Sequence, residues 1–170
     1  MPLIAATVCL LVSQAAPRTK PAASARLVVE AGVVTQSGDV KRVARTPFWL
    51  LNADFGAMLV ETIGASTSKS VKGNVQIFRL GQQVVAEGLA DDTPELRRQV
   101  SEAEAFLKKH TVAAATTDFE GKAAFTVRPG RYFLFGAFSI FNDTIVWNMP
   151  VTVKAGSTDL ILDQSNSARE

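Results

Sequence analysis

Short turn sequences divide the C-terminal part of the chain into stretches of strand length. After Thr111, residues typical of turns occur at 118–121, 129–130, 142–143 and 155–156. The stretches between them are rich in β-branched and aromatic residues, which favour strands. The region is therefore predicted to form five strands, over residues 112–117, 122–127, 131–140, 144–154 and 159–163.

The N-terminal region adds two strands to this pattern. In residues 27–35 every second residue is apolar and Glu30 lies on the opposite face, as in a half-buried strand. Residues 41–51 also fit a strand, and Pro47 places it at a sheet edge or at a bulge. Seven short strands with regular turns predict a mainly β fold, a sandwich of two sheets of the immunoglobulin-like kind.

Between these strands, residues 54–110 change to helical spacing. Asp54 is a capping residue that precedes a short helical pattern, and Thr93-Pro94 opens the strongest one. Residues 75–89 fit a helical face, and residues 75–80 could instead alternate as a strand. We therefore predict a mostly helical insertion in the sandwich, with one apolar stripe that must be buried on the sandwich or against a partner chain. That stripe consists of Leu96, Val100, Ala103 and Leu107.

The first residues predict export from the cytoplasm. Residues 1–12 are uncharged and apolar and have the length of a signal peptide, and Ala15 and Ala25 offer two cleavage positions. The alternatives are a buried first strand and an N-terminal anchor that is never cut. We expect a secreted or periplasmic protein with no transmembrane span after signal removal. Its parts would be a signal peptide over 1–25, a single domain over 26–163 and a flexible tail over 164–170.

The charge distribution gives no support for a nucleic-acid partner. The net charge of +2 comes from Arg18 and Lys20, and the residues after position 25 include 16 basic and 16 acidic side chains. Binding to nucleic acid depends on clustered Lys and Arg that neutralise phosphates. The apolar fraction of 47% and the charged fraction of 20% are those of a folded globular domain. We expect a folded protein that does not bind nucleic acid.

One continuous segment, residues 117–134, carries a recognisable motif. It reads TDFEGKAAFTVRPGRYFL and combines a Thr-Asp-x-x-Gly turn, a short strand, Pro-Gly and Tyr-x-Leu. It resembles the signature of carboxypeptidase regulatory-like domains, which are prealbumin-like sandwiches common in exported bacterial proteins. The resemblance is strong over residues 111–163, weaker over 26–53 and absent from 54–110.

This resemblance implies both structure and function. It agrees with an Asx-type turn at Asp118, with positive φ at Gly121 and Gly130, and with Tyr132 and Leu134 on one face of a sheet. It implies a structural, adhesive or partner-binding module of the bacterial cell envelope that does not catalyse a reaction. The partner would be a protein or a carbohydrate.

The side chains available for catalysis are few. The sequence has one histidine, His110, one tyrosine, Tyr132, and one cysteine, Cys9, which lies in the leader. Most nucleophile and base pairs are thereby excluded, and His110 is expected to be a solvated cation at a helix end. We predict no enzyme, no cofactor and no metal. The alternatives, a carboxylate-dependent hydrolase or a calcium site, would use carboxylates that we expect in turns or in solvent instead. These are Asp118, Glu120, Asp143, Asp159 and Asp163.

Aromatic residues around the Asn142-Asp143 turn form the candidate binding site. Phe138, Phe141 and Trp147 are predicted to present a patch to a ligand or partner. The alternative is that these side chains belong to the core, as aromatics in adjacent strands often do. A carrier with an apolar pocket between the insertion and the sandwich is a further alternative.

Overall fold

A computed structural model describes residues 24–35, 37–63, 70–89, 91–140 and 143–168. Most of the predicted leader and the residues Phe141 and Asn142 lie outside the described residues. The helices are α1 (Phe55–Thr62), α2 (Val71–Glu87) and α3 (Pro94–His110). The strands are β1 (Ala25–Val34), β2 (Val40–Arg42), β3 (Pro47–Leu51), β4 (Thr111–Thr116), β5 (Lys122–Val127), β6 (Gly130–Ile140), β7 (Asp143–Val153) and β8 (Gly156–Leu162).

The first sheet is built around β1. The same residues of β1 pair with β5 in an antiparallel register and with β8 in a parallel register, so these two strands flank β1. Strand β2 pairs with the last three residues of β1. Every second residue of β1 is buried, from Ala25 to Val33, because alternate side chains of a strand point to the same face.

The second sheet packs its inner face on the first. Its strand order is β4-β3-β6-β7, and all its pairs are antiparallel. Phe48 and Trp147 are fully buried between the two sheets, with ring centroids 5.7 Å apart. These two sheets and the helical insertion confirm the predicted mainly β sandwich.

The described residues form eight strands, one more than predicted, because residues 41–51 divide between the two sheets. Strand β2 belongs to the first sheet and β3 to the second. Between them the Thr117 hydroxyl donates to the Val43 carbonyl (2.6 Å) and accepts from the Thr46 N–H (2.9 Å). These bonds hold the short segment in which the chain passes from the first sheet to the second. Pro47 is the first residue of β3, a position in which a strand tolerates a missing N–H. The strand lies between β4 and β6, so the edge position predicted from Pro47 is wrong.

The insertion forms a helical layer, α1 to α3. Each of these helices begins at a side chain that accepts a hydrogen bond from the backbone three residues later, namely Asp54, Ser70 and Thr93. Residues 75–80, for which a strand was the alternative, are helical and belong to α2, which is capped by Gly88 with a φ of 61°. Within the described ranges, none of the helices is long and apolar enough to span a bilayer.

The apolar stripe of α3 is buried against α1 and α2, in an apolar cluster that reaches the second sheet. Val100 and Ala103 are buried, and Leu96 and Leu107 pack against the same cluster. Gly81 of α2 allows this contact, because a β-carbon there would lie 2.9 Å from side-chain atoms of Leu96 and of Val100. The cluster joins the helices to the second sheet through Leu51, Phe55, Leu59, Phe78, Phe135 and Val146.

Gly130 does not adopt the positive φ that was predicted for it. It begins β6 beside the ring of Tyr132, and a β-carbon at Gly130 would lie 3.3 Å from the Tyr132 hydroxyl oxygen. That hydroxyl donates a hydrogen bond to the Arg128 carbonyl (2.8 Å). The close neighbour of Gly130 is therefore the Tyr132 side chain, and the backbone conformation here does not require glycine.

Residues 164–168, predicted to belong to a flexible tail, contact the sandwich instead. The Gln164 amide accepts from the Val34 N–H (2.9 Å) and donates to the Val34 carbonyl (2.5 Å). The Ala168 N–H donates to the Val146 carbonyl (2.7 Å). The segment makes these contacts because strand edges offer backbone groups that need partners.

Candidate functional site

Two turns meet at one end of the sandwich and form a unit that we call the turn end, residues 42–46 and 117–122. The Arg45 N–H donates to the Thr117 carbonyl (3.1 Å), and the Thr117 N–H donates to the Thr46 carbonyl (3.0 Å). The Val43 N–H donates to the Ala31 carbonyl of β1 (3.0 Å). Because these bonds join both turns to each other and to β1, the turn end is a rigid surface.

The second of these turns is closed by Asp118, as predicted. Its Oδ1 accepts hydrogen bonds from the N–H groups of Glu120 (2.8 Å) and Lys122 (2.9 Å). Gly121 has a φ of 78°, and its carbonyl accepts from the Ala31 N–H (2.9 Å). The predicted Asx-type turn and the positive φ at Gly121 are both confirmed.

This turn presents Phe119 to solvent. The side chain is 72% exposed, more than any other large apolar side chain that the structure describes. The Arg45 guanidinium lies over the ring, with Cζ 4.6 Å from the ring centroid, in a cation–π contact. Arg45 has a φ of 52° and is the one non-glycine residue in the described ranges with a positive φ. A conformation of this kind costs an L-residue about 1–2 kcal/mol.

The turn end carries guanidinium groups that no carboxylate neutralises. Arg42 Nη1 donates to the Glu120 carbonyl (3.2 Å), whereas the Glu120 carboxylate is paired with Lys122 (3.2 Å). Within the part of the chain that the structure describes, neither Arg42 nor Arg45 forms an ion pair. The arrangement can therefore bind an anionic group together with an apolar surface.

The structure does not bring the predicted aromatic patch together at the surface. Trp147 is 0% exposed, and its indole N–H donates to the Asp163 carbonyl (2.9 Å). Phe138 is half-buried against the same core, and Phe141 lies outside the described residues. Trp147 is therefore a core residue, because the odd-numbered residues of β7 face the first sheet. A patch at this turn stays a prediction that would rest on Phe138 and Phe141 alone.

Near that turn, polar side chains attach the β6–β7 hairpin to α2. The Lys72 ammonium lies 2.9 Å from the Asp143 carboxylate, and Arg79 Nη1 donates to the Ser139 hydroxyl (3.0 Å). The hydrogen bond from Lys72 lowers the pKa of Asp143. Asp143 therefore has a structural role as an ion-pair partner.

Two of the other candidate catalytic residues, Asp163 and His110, have partners of their own. Asp163 accepts hydrogen bonds from the Ser165 hydroxyl and N–H, which lower its pKa, and Asp159 lies on β8. His110 ends α3, as predicted, but it is half-buried and its Nδ1 lies 2.7 Å from Asn52 Oδ1. Among the residues that the structure describes, no cluster of three or more His, Cys, Asp or Glu side chains fits a metal ion.

Sequence reasoning did not single out Phe119 or Arg45. The sequence does indicate that Phe119 is exposed. An aromatic residue inside a turn lies outside the alternating pattern of the strands and has no neighbour in a sheet to bury it. The positive φ of Arg45 could not be recognised from the sequence. Such a conformation is uncommon for a residue other than glycine, and here it depends on contacts distant in sequence.

Solved structures that are similar to this chain include a Pseudomonas aeruginosa protein described as a candidate carbohydrate-binding protein. It is 14% identical over 86% of this chain and 92% of its own, with a TM-score of 0.45. The fimbrial protein FimP of Actinomyces oris is 17% identical over 85% of this chain and 30% of its own, with a TM-score of 0.36.

The pilus backbone protein RrgB of Streptococcus pneumoniae is 12% identical over 78% of this chain and 34% of its own, with a TM-score of 0.33. This chain therefore spans about a third of the length of either pilus protein. No protein-family model matches the sequence, and no curated protein matches it significantly. Likeness at this level transfers neither a ligand nor an activity.

Proposed function

We propose that this chain is an exported, non-enzymatic binding module of the cell envelope, secreted or periplasmic, and that the turn end is its binding surface. The observation that carries the proposal concerns Phe119, which is 72% exposed on a hydrogen-bonded turn. The Arg45 guanidinium lies over one face of its ring. Backbone strain such as that of Arg45 persists only where the surrounding structure imposes it, and it clusters at ligand sites. Loops on a rigid scaffold are where binding residues concentrate.

The helical layer supports this choice of surface, because the apolar side of the helices is buried inside the protein. The stripe of α3 is buried in the apolar cluster that the helices share with the second sheet, and the outer side of α3 carries ion pairs from Arg98 to Glu95 and Glu102. Such pairs are typical of a solvated helix surface. The helical layer therefore has a structural role, and the turn end is the surface that we propose for binding a partner.

The proposed class of module is the carboxypeptidase regulatory-like domain, with the helical layer as an addition to it. The two-sheet sandwich and the turn closed by Asp118 support this membership. The partner of such a module in the envelope would be a protein or a carbohydrate.

An array of envelope polysaccharides, oligosaccharides and peptides tests the binding function. We expect the unmodified protein to retain at least one ligand class, and Phe119→Ala combined with Arg45→Gln to weaken its retention about tenfold or more. Arg131→Gln and Ile161→Ala are matched controls, because these side chains are exposed and lie outside the turn end. Equal retention by the double variant would remove the turn end as the binding surface.

Export predicts a defined mature N-terminus. Of the two cleavage positions, the one after Ala15 is expected, because Ala25 is buried and pairs with Val127 and Gly156 in the first sheet. Cleavage after Ala25 would remove this buried residue and its strand pairing from the start of β1. Mass spectrometry of protein from its native host should show a start at Ala16. An intact Met1 in the cytoplasm would reject export, and a start at Arg26 would contradict the role of Ala25.

Arg45→Gly should separate stability from binding. Glycine adopts a positive φ without strain but gains entropy in the unfolded chain, so the free energy of unfolding should change by less than about 1 kcal/mol. Loss of the guanidinium should nevertheless reduce ligand binding about tenfold. Thermal melting and a binding titration on the same sample check both parts. Strong destabilisation with unchanged binding would show that Arg45 serves the fold and not the ligand.

A further inference from the structure

We infer that the turn end binds a sugar unit that bears a carboxylate, such as a unit in a chain of uronic acids. The inference rests on the proposed function and adds the chemical class of the ligand. Three side chains carry it, namely those of Arg42, Arg45 and Phe119.

The charge of the turn end favours an anion. Of its three cations, only Lys122 is paired with a carboxylate, that of Glu120. The carboxylate of Asp118 accepts two backbone N–H groups within its own turn. Arg42 and Arg45 therefore offer N–H donors that have no carboxylate acceptor in the described structure, and a guanidinium binds a carboxylate through two parallel hydrogen bonds.

The Phe119 ring favours a sugar over a small inorganic anion. Arg45 covers one face of the ring, and the exposure of 72% leaves most of the side chain in water. A pyranose has C–H groups that pack against an aromatic surface and hydroxyl groups that accept from Arg donors. Phosphate or acetate would use the guanidinium groups and leave the ring uncovered.

The small size of the turn end argues against a protein partner. A stable protein interface buries about 800 Å² on each side. One aromatic ring and two guanidinium groups on two short turns match a single sugar unit instead. Binding by one unit would be weak, and a polymer with repeated units would gain affinity by engaging many copies of the module.

Titration calorimetry with tetramers of galacturonic acid and of mannuronic acid tests the inference. Their methyl esters are matched neutral probes, because they keep the sugar rings and lose the charge. We expect at least one acidic tetramer to bind about tenfold or more tightly than its ester, and more weakly as salt is raised from 0.05 to 0.5 M. Phe119→Ala and Arg45→Gln should each cost about tenfold, while Arg131→Gln and Ile161→Ala should leave the affinity unchanged.

The outcomes distinguish this inference from the proposed function. Equal affinity for acid and ester, no detectable binding of either acidic tetramer at millimolar concentration, or equal binding of hexa-aspartate would overturn the sugar carboxylate as ligand. If another ligand from the array still depends on Phe119 and Arg45, the binding function stands without this inference. If every ligand binds the Phe119→Ala and Arg45→Gln variants normally, both fail.

Discussion

Val100→Asp is expected to lower the free energy of unfolding by about 3–5 kcal/mol. Val100 is 5% exposed and packs in the apolar cluster between α3, α2 and the second sheet. Aspartate would place a carboxylate there without a cationic partner and would remove the methyl groups that contact Gly81. Urea unfolding followed by circular dichroism measures the change.

Leu80→Asp is the matched control, because Leu80 also lies on a helix of the layer but is 62% exposed. Its effect should stay within about 0.5 kcal/mol. The oligomeric state should be the same for both variants, because the stripe is covered by the protein's own helices α1 and α2. If Val100→Asp folds normally and only abolishes association, the stripe is an interface and the helices do not pack as described.

Gly121→Ala is expected to lower the free energy of unfolding by about 2–4 kcal/mol. A β-carbon at this position would lie 2.5 Å from the carbonyl oxygen of Ala31, and the φ of 78° strains any L-residue. The nearest obstacle is backbone at the centre of the first sheet, so it cannot move aside as a flexible side chain would. Thermal and urea unfolding both report the loss.

Gly156→Ala separates the two causes of this loss, the close approach to another backbone and the positive φ. Gly156 has a φ of 93°, but a β-carbon there would have no atom within 4 Å. It should therefore cost about 1 kcal/mol, from the backbone conformation alone. Equal losses in the two variants would mean that the close approach of the Asp118 turn to β1 is absent.

The sandwich could be predicted from the sequence because its strands and turns are specified by residues close together in the chain. Strand β1 alternates buried and less buried residues without interruption, and Asp118 closes its turn with bonds to residues two and four positions later. The helix caps at Asp54 and Thr93 likewise act within three residues. Patterns of this range are visible in a single sequence.

Features that depend on distant contacts were not predicted. The chain passes from the first sheet to the second between Val43 and Thr46 because Thr117, 71 residues after Thr46, binds both sides of the crossing. A further bond to Thr117, from the Arg45 N–H to the Thr117 carbonyl, holds the strained Arg45 beside Phe119. Trp147 was assigned to a surface patch because an aromatic near a turn looks the same in sequence whether its strand face is buried or exposed.

A ¹H–¹⁵N NMR titration with the ligand that binds best on the array is the most direct test of where this protein binds. Binding at the turn end predicts that the largest shifts of amide signals fall in residues 42–46 and 117–122. The signals of α1 to α3 should change little, because the helical layer is a scaffold. Shifts confined to the helical layer or to the β6–β7 turn, with those of the turn end unchanged, would contradict the turn end as the binding surface.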